Sequence, residues 1–296
     1  MTIKYLVISG GGPTGLLTYG AASYLAKADF WRLADIKGIY GCSIGAYMGV
    51  IFTLGYEWDW LDDYFIKRPW EKLISSSAIN IFDIYTQKGI LNEQFFIDAI
   101  RPLLTAKGLT EEITLSEFYE FNKIDLHFYT TNINSEQLNK VDLSHTTHPS
   151  LSLIKALRMT MAVPIIFQPI FDNNACYIDG GLLNNFPLND CIEQTKCEHN
   201  EILAFKNIWT EGNSKSNINS ESSMLDFLLV ILNKTQASID SEPNQIKIKY
   251  TVQCLVDELS DFSKWIETFS QEKNRRSVIE KGYNQAKVFL DYIKDD

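Results

Sequence analysis

Residues Ile39-Tyr40-Gly41-Cys42-Ser43-Ile44-Gly45-Ala46 set a short apolar strand, a serine between two glycines and a helix start within eight positions. In that setting Gly-x-Ser-x-Gly predicts a nucleophile elbow, a strained turn that lifts the serine hydroxyl above the sheet. A side chain at Gly41 or Gly45 would collide where strand and helix nearly touch. The pentapeptide alone also arises by chance, so its meaning depends on two further glycine-rich turns.

The first lies near the start. Tyr5–Ser9 is a compact apolar run, as in a strand buried on both faces, and Gly10-Gly11-Gly12-Pro13-Thr14-Gly15 follows it. The helix predicted over Leu16–Lys27 begins directly after that loop. Backbone N–H groups at the positive end of a helix can hold a phosphate or a developing oxyanion. Gly10-x-Gly12-x-x-Gly15 also matches the dinucleotide-binding fingerprint, which requires an acid about 20 residues on, at the end of the second strand. Asp35 has that spacing but precedes the second strand, whose end is the serine elbow. A module binding a nucleotide phosphate through Gly10–Gly15 is the alternative from a different functional class.

The second turn is Asp179-Gly180-Gly181, after the short strand predicted over Ala175–Ile178. A carboxylate at a strand end, followed by two glycines that free the backbone, is site-like; a plain β-turn is the bland alternative. Between the two turns the chain alternates. Ala46–Tyr56 and Asn92–Leu104 are predicted helices, and Leu126–Thr131 a strand with His127 on its face. Ser152–Met161 is a further helix, and Ala162–Pro169 runs extended. Trp58, Leu61 and Phe65 share one face of an aromatic helix, facing the core or forming a lipid-contacting cap. Beyond Asp179 we expect a strand over Leu203–Trp209, a polar loop near 211–223 and an apolar helix over Met224–Leu232, buried in the core or, as the alternative, docking on a membrane surface. A strand over Ile246–Cys254 and helices over Phe262–Lys294 follow. Alternating strands and helices without a repeat imply a layered α/β fold.

A net charge of −10 argues against a nucleic-acid partner, which would need a basic face, and leaves neutral lipids and small molecules open. The five cysteines include no Cys-x-x-Cys pair. Cys191 and Cys197 have His199 nearby but no fourth metal ligand. Reduced thiols in a cytosolic-type compartment are the simplest reading. Met1–Ser9 runs straight into a strand and lacks the apolar core of a signal peptide, and the apolar run at Leu225–Leu232 is too short to span a bilayer. A soluble, cytoplasmic protein with peripheral membrane contact at most is expected.

The three turns, in this order, resemble the patatin-like phospholipase family of lipid acyl hydrolases. Lys88-Gly89-Ile90, Thr160–Pro169, Asn184-Asn185-Phe186-Pro187 and, more faintly, Gly282-Tyr283 extend the likeness, which is strongest over residues 4 to 190. The resemblance implies a three-layer α/β/α sandwich around a mixed, largely parallel sheet, forming one catalytic domain over residues 1–296 with a mostly helical part from 191 onward. It also implies a Ser43–Asp179 dyad without a catalytic histidine. Gly10, Gly11, Gly12 and Thr14 would form the oxyanion hole, with Gly15, Gly41, Gly45, Gly180 and Gly181 as the motif glycines. Among these donors the Gly11 and Gly12 amides are the strongest candidates. The implied substrate is a phospholipid or related acyl ester, with no cofactor and no metal. Acyl transfer to another lipid by the same dyad is an alternative outcome.

One departure concerns the loop. Many family members carry Arg or Lys where this chain has Pro13-Thr14; Pro13 has no N–H to donate and no cationic side chain for a head group is present. An ordinary Ser-Asp-His triad would need a histidine after Asp179, and only His199 qualifies, in a polar stretch predicted as exposed loop. No acidic cluster with calcium-loop spacing appears, so activity in chelator is expected.

Overall fold

The structure is a computed structural model that describes residues 2–78, 81–209, 218–222, 224–240, 246–256 and 262–295. Its strands are β1 (Tyr5–Ile8), β2 (Gly38–Cys42), β3 (Gly89–Leu91), β4 (Asp125–Asn132), β5 (Asn139–Leu143), β6 (Ile165–Phe167), β7 (Ile170–Asp172), β8 (Ala175–Asp179), β9 (Ile202–Trp209) and β10 (Thr251–Val256). Eight form one sheet in the order β10-β9-β1-β2-β4-β8-β7, with β5 on β4, while β3 and β6 pair separately. The run from β10 to β4 is parallel, and β5, β8 and β7 join antiparallel, so the sheet is mixed and mostly parallel.

Period-two alternation sorts the central strands between two faces. Leu6 and Ile8 belong to the larger core, beneath the helices Gly15–Lys27, Ile44–Thr53, Leu153–Thr160 and Glu272–Asp295. Val7 points the other way, into a smaller cluster with Tyr40, Tyr129 and Leu188, the last on the helix Leu188–Thr195. Both faces are covered, as the apolar reading of Tyr5–Ser9 requires.

Register brings the two distant turns together. Cys42 at the end of β2 pairs with Tyr129 of β4, and Asp179 at the end of β8 pairs with Thr130, the next residue. Because β5 occupies the opposite edge of β4, β2 and β8 meet end to end along one edge. Ser43 and Asp179 are therefore neighbours although 136 positions separate them in sequence.

Several expectations need correction. The helix after the elbow ends at Thr53 rather than Tyr56, because Gly55 turns the chain with φ of 61°. The last strand starts at Thr251, so Ile246–Tyr250 is not part of it. The region after 191 is rich in helix, yet β9 and β10 belong to the central sheet. Of the predicted polar loop, 211–217 and 223 lie outside the described residues. The apolar helix is longer than expected, Met224–Asp240, and is not simply buried: Leu229 is inside, but Met224, Phe227 and Ile231 are exposed. The aromatic helix Trp58–Lys67 faces the core through Leu61 and Phe65, as its amphipathic spacing predicts.

Candidate active site

The elbow is built by close approach. Ser43 has φ of 52° and ψ of −126°, a conformation rarely adopted by a side-chain-bearing residue and costing about 1–3 kcal/mol. A Cβ at Gly41 would lie 2.6 Å from the Ala46 nitrogen, and one at Gly45 would lie 2.3 Å from the Ile8 carbonyl oxygen. Strand and helix can cross here only because both positions lack side chains. The Ser43 amide donates to Thr160 Oγ1 at 2.9 Å, and that hydroxyl donates to the Tyr129 carbonyl at 2.5 Å. Thr160 thus ties the elbow to β4 from the end of the helix Leu153–Thr160.

The same helix end holds the aspartate. The Asp179 amide donates to the Ala162 carbonyl at 2.9 Å. Its Oδ1 accepts from the Gly181 amide at 2.7 Å, so Asp179-Gly180-Gly181 opens the short helix Gly181–Asn184 rather than a plain β-turn. Oδ2 is buried without a hydrogen bond. Burial pushes the Asp179 carboxyl up to about 6, against the pull of the Ser43 hydroxyl and the Gly181 amide. The Ser43 influence is therefore that of a close neighbour, looser than a formed hydrogen bond. Both side chains are buried, Ser43 at 4% and Asp179 at 8% exposure. A carboxylate in such surroundings is poised to take a proton near neutral pH.

The Gly10–Gly15 loop stands beside this pair, with Gly11 at φ 151° and Gly12 at φ 59°. The Gly10 amide donates to the Asn185 carbonyl at 3.0 Å, and the Thr14 amide donates to the Gly11 carbonyl at 3.3 Å. Those two amides are engaged, whereas the Gly11 and Gly12 amides have no partner among the described residues. Gly12 and Ile44 also line an apolar cavity of about 90 Å³, which runs on to Met48, Ala99, Phe96 and Trp265.

Residues proposed for other chemistries lie elsewhere. Asp35 is in the turn Leu33–Asp35, paired with Arg32 at 2.9 Å, and does not end β2. His199 is exposed in a turn ahead of β9, at the opposite end of the strands from Ser43. His127 is buried in β4, stacked on Tyr40 and hydrogen-bonded to Asp142 at 2.8 Å. Its pKa is raised to about 9: burial opposes its charge, but Asp125 and Asp142 outweigh burial.

Thr160, Asn185 and Asn207 were not singled out as site residues from the sequence. Thr160 and Asn185 stood in quoted motif blocks, whereas Asn207 carried no signal beyond being a polar residue in an apolar strand.

Such a sheet, with a glycine loop and a serine elbow at the carboxyl ends of its strands, belongs to the patatin-like α/β class. VipD from Legionella pneumophila has this fold, matching with a TM-score of 0.56 at 17% identity over 99% of this chain and 67% of that one. The chain belongs to the patatin-like phospholipase family, whose model matches residues 6–192. A probable lipid hydrolase of Invertebrate iridescent virus 6 is 26% identical over 211 residues, spanning 70% of this chain and 68% of that protein. An uncharacterized protein of Acanthamoeba polyphaga mimivirus is 26% identical over 206 residues, 67% of each chain. Family membership supports hydrolysis of lipid esters.

Proposed function

We propose that the protein is a lipid acyl hydrolase working through a Ser43–Asp179 dyad. The observation that carries this reading is the meeting of a buried, strained serine with a buried carboxyl whose pKa is raised to about 6. Ser43 Oγ attacks the ester carbonyl and passes its proton to Asp179, while the carbonyl electrons move onto oxygen. Collapse of that adduct expels the alcohol, which takes the proton back from Asp179, and leaves Ser43 acylated. Water then repeats the sequence with Asp179 as base, releasing the fatty acid and restoring the serine hydroxyl.

Donors for the oxyanion narrow to Gly11 and Gly12, since the Gly10 and Thr14 amides are engaged and Pro13 has none. Each such donor is worth about 3–4 kcal/mol in the transition state. The apolar cavity beside Ser43 suits one acyl chain, and its lining offers nothing to a charged head group. Residues 2–295 act as one catalytic unit in this reading, because β9 and β10 complete the sheet that carries the dyad. Transient contact with a lipid surface fits Met224, Phe227 and Ile231, exposed along one side of their helix. Among the described residues no helix is long and apolar enough to cross a membrane.

Ser43→Ala and Asp179→Ala proteins, assayed with a short-chain p-nitrophenyl ester, test the dyad. Both should lose activity; wild-type rates in either would refute it. Mass spectrometry of the products from a mixed lipid extract, wild type against Ser43→Ala, would name the ester cleaved.

A further inference from the structure

We propose that Asn207 is a positioning residue for acyl transfer: its side-chain amide locks both ends of the Gly10–Thr14 loop and so aims the Gly11 and Gly12 amides. The inference rests on the dyad reading above and extends it into a part of the chain beyond residue 192, where the family model ends.

A loop of this kind cannot hold its own shape. Gly11 and Gly12 adopt positive φ and have no side chains with which to anchor themselves. Asn207 supplies the anchor from outside. Its Nδ2 donates to the Gly10 carbonyl at 2.8 Å and contacts Thr14 Oγ1 at 2.6 Å, using both amide hydrogens. One group therefore bridges the residue before the two free amides and the second residue after them. Movement of either end would swing the intervening peptide planes, and an oxyanion donor works only at about 2.7–3.1 Å from the oxygen it serves.

Asn207 itself is firmly placed. Ile8 pairs with Phe205 in parallel β1 and β9, so Asn207 stands beside Gly10, two residues beyond the end of β1. On its other side it pairs with Cys254 of β10, and its own amide donates to Ser9 Oγ at 3.0 Å. The side chain is only 9% exposed, and its Oδ1 is buried with no hydrogen bond. A buried amide with an orphaned oxygen costs stability, so packing alone would favour an apolar residue here. The two hydrogen bonds to the loop supply a reason for asparagine.

The test uses the full-length protein, p-nitrophenyl butyrate and an alkyl trifluoromethyl ketone, which adds to the catalytic serine as an oxyanion adduct. In Asn207→Ala and in the near-isosteric Asn207→Asp, kcat should fall by roughly 10- to 100-fold with KM changed by less than about 2-fold. Ketone affinity should fall in parallel, because ketone and transition state use the same donors. Thr14→Val, a milder change at the far end of the bridge, should lose part of kcat in the same way, and adding it to Asn207→Ala should cost little more. Unchanged kcat and ketone affinity would overturn the proposal. So would a loss confined to KM or melting temperature, which is what a purely structural role predicts. Should the Asn207 variants fail to fold, Thr14→Val decides alone, and wild-type kcat in it overturns the proposal. Full activity in Ser43→Ala would instead remove the dyad reading beneath it, a failure separate from wild-type behaviour of the Asn207 variants in a Ser43-dependent enzyme.

Discussion

Replacing Asp179 by asparagine should stabilise the protein at neutral pH while abolishing turnover. The carboxyl is held at about 6 against an ordinary 3.8, with burial as the main cause. That gap corresponds to about 3 kcal/mol, the cost of keeping the ionised form in this site. The sign follows from proton binding. A carboxyl with a raised folded-state pKa binds its proton more tightly folded than unfolded. Its contribution is thus most favourable below the ordinary value, is lost as pH rises towards about 6, and stays lost above that. Asparagine does not titrate, keeps an oxygen for the Gly181 amide and offers its Nδ2 to the Ser43 hydroxyl. Urea unfolding of both proteins should therefore show near-equal stability at about pH 4 and an advantage for Asp179→Asn of about 3 kcal/mol at about pH 8. An advantage that is absent, or equal at both pH values, would refute the reasoning. The same titration predicts that wild-type kcat/KM rises through about pH 6 as Asp179 loses its proton.

Other consequences are more local. Thr160→Val removes the acceptor of the Ser43 amide and should lower kcat by about 10-fold or more, with recovery in Thr160→Ser, both read with a soluble ester. His199→Ala, and wild type in excess chelator, should hydrolyse that ester at the untreated wild-type rate; loss in either would bring back a histidine or a metal. Ala99→Leu narrows the apolar cavity and should shift the preference among p-nitrophenyl esters towards shorter acyl chains, with little change on the shortest.

What the sequence disclosed follows from the range of the forces involved. Gly41 announces the elbow because the collision it avoids, with the Ala46 nitrogen, lies within a few residues and recurs wherever a strand turns straight into a helix, whereas Gly45 avoids the Ile8 carbonyl of β1, far away in sequence. Tyr5–Ser9 announces a central strand because burial on both faces leaves a continuous apolar run. The Ser43–Asp179 meeting could be named only through a family resemblance, since the register of β2 and β8 on β4 is not written in either strand. Asn207 was invisible for the same reason: its partner Gly10 is 197 positions away, and polar residues in strands are common. The helix Met224–Asp240 misled because apolar content alone does not say which side is covered.

The central claim is that Ser43 carries the acyl group, and active-site labelling tests it most directly. Wild-type protein treated with a fluorophosphonate and digested for mass spectrometry should carry the adduct on Ser43, with labelling abolished in Ser43→Ala and strongly slowed in Asp179→Ala. An adduct on another residue, or undiminished labelling of Ser43→Ala, would contradict the account.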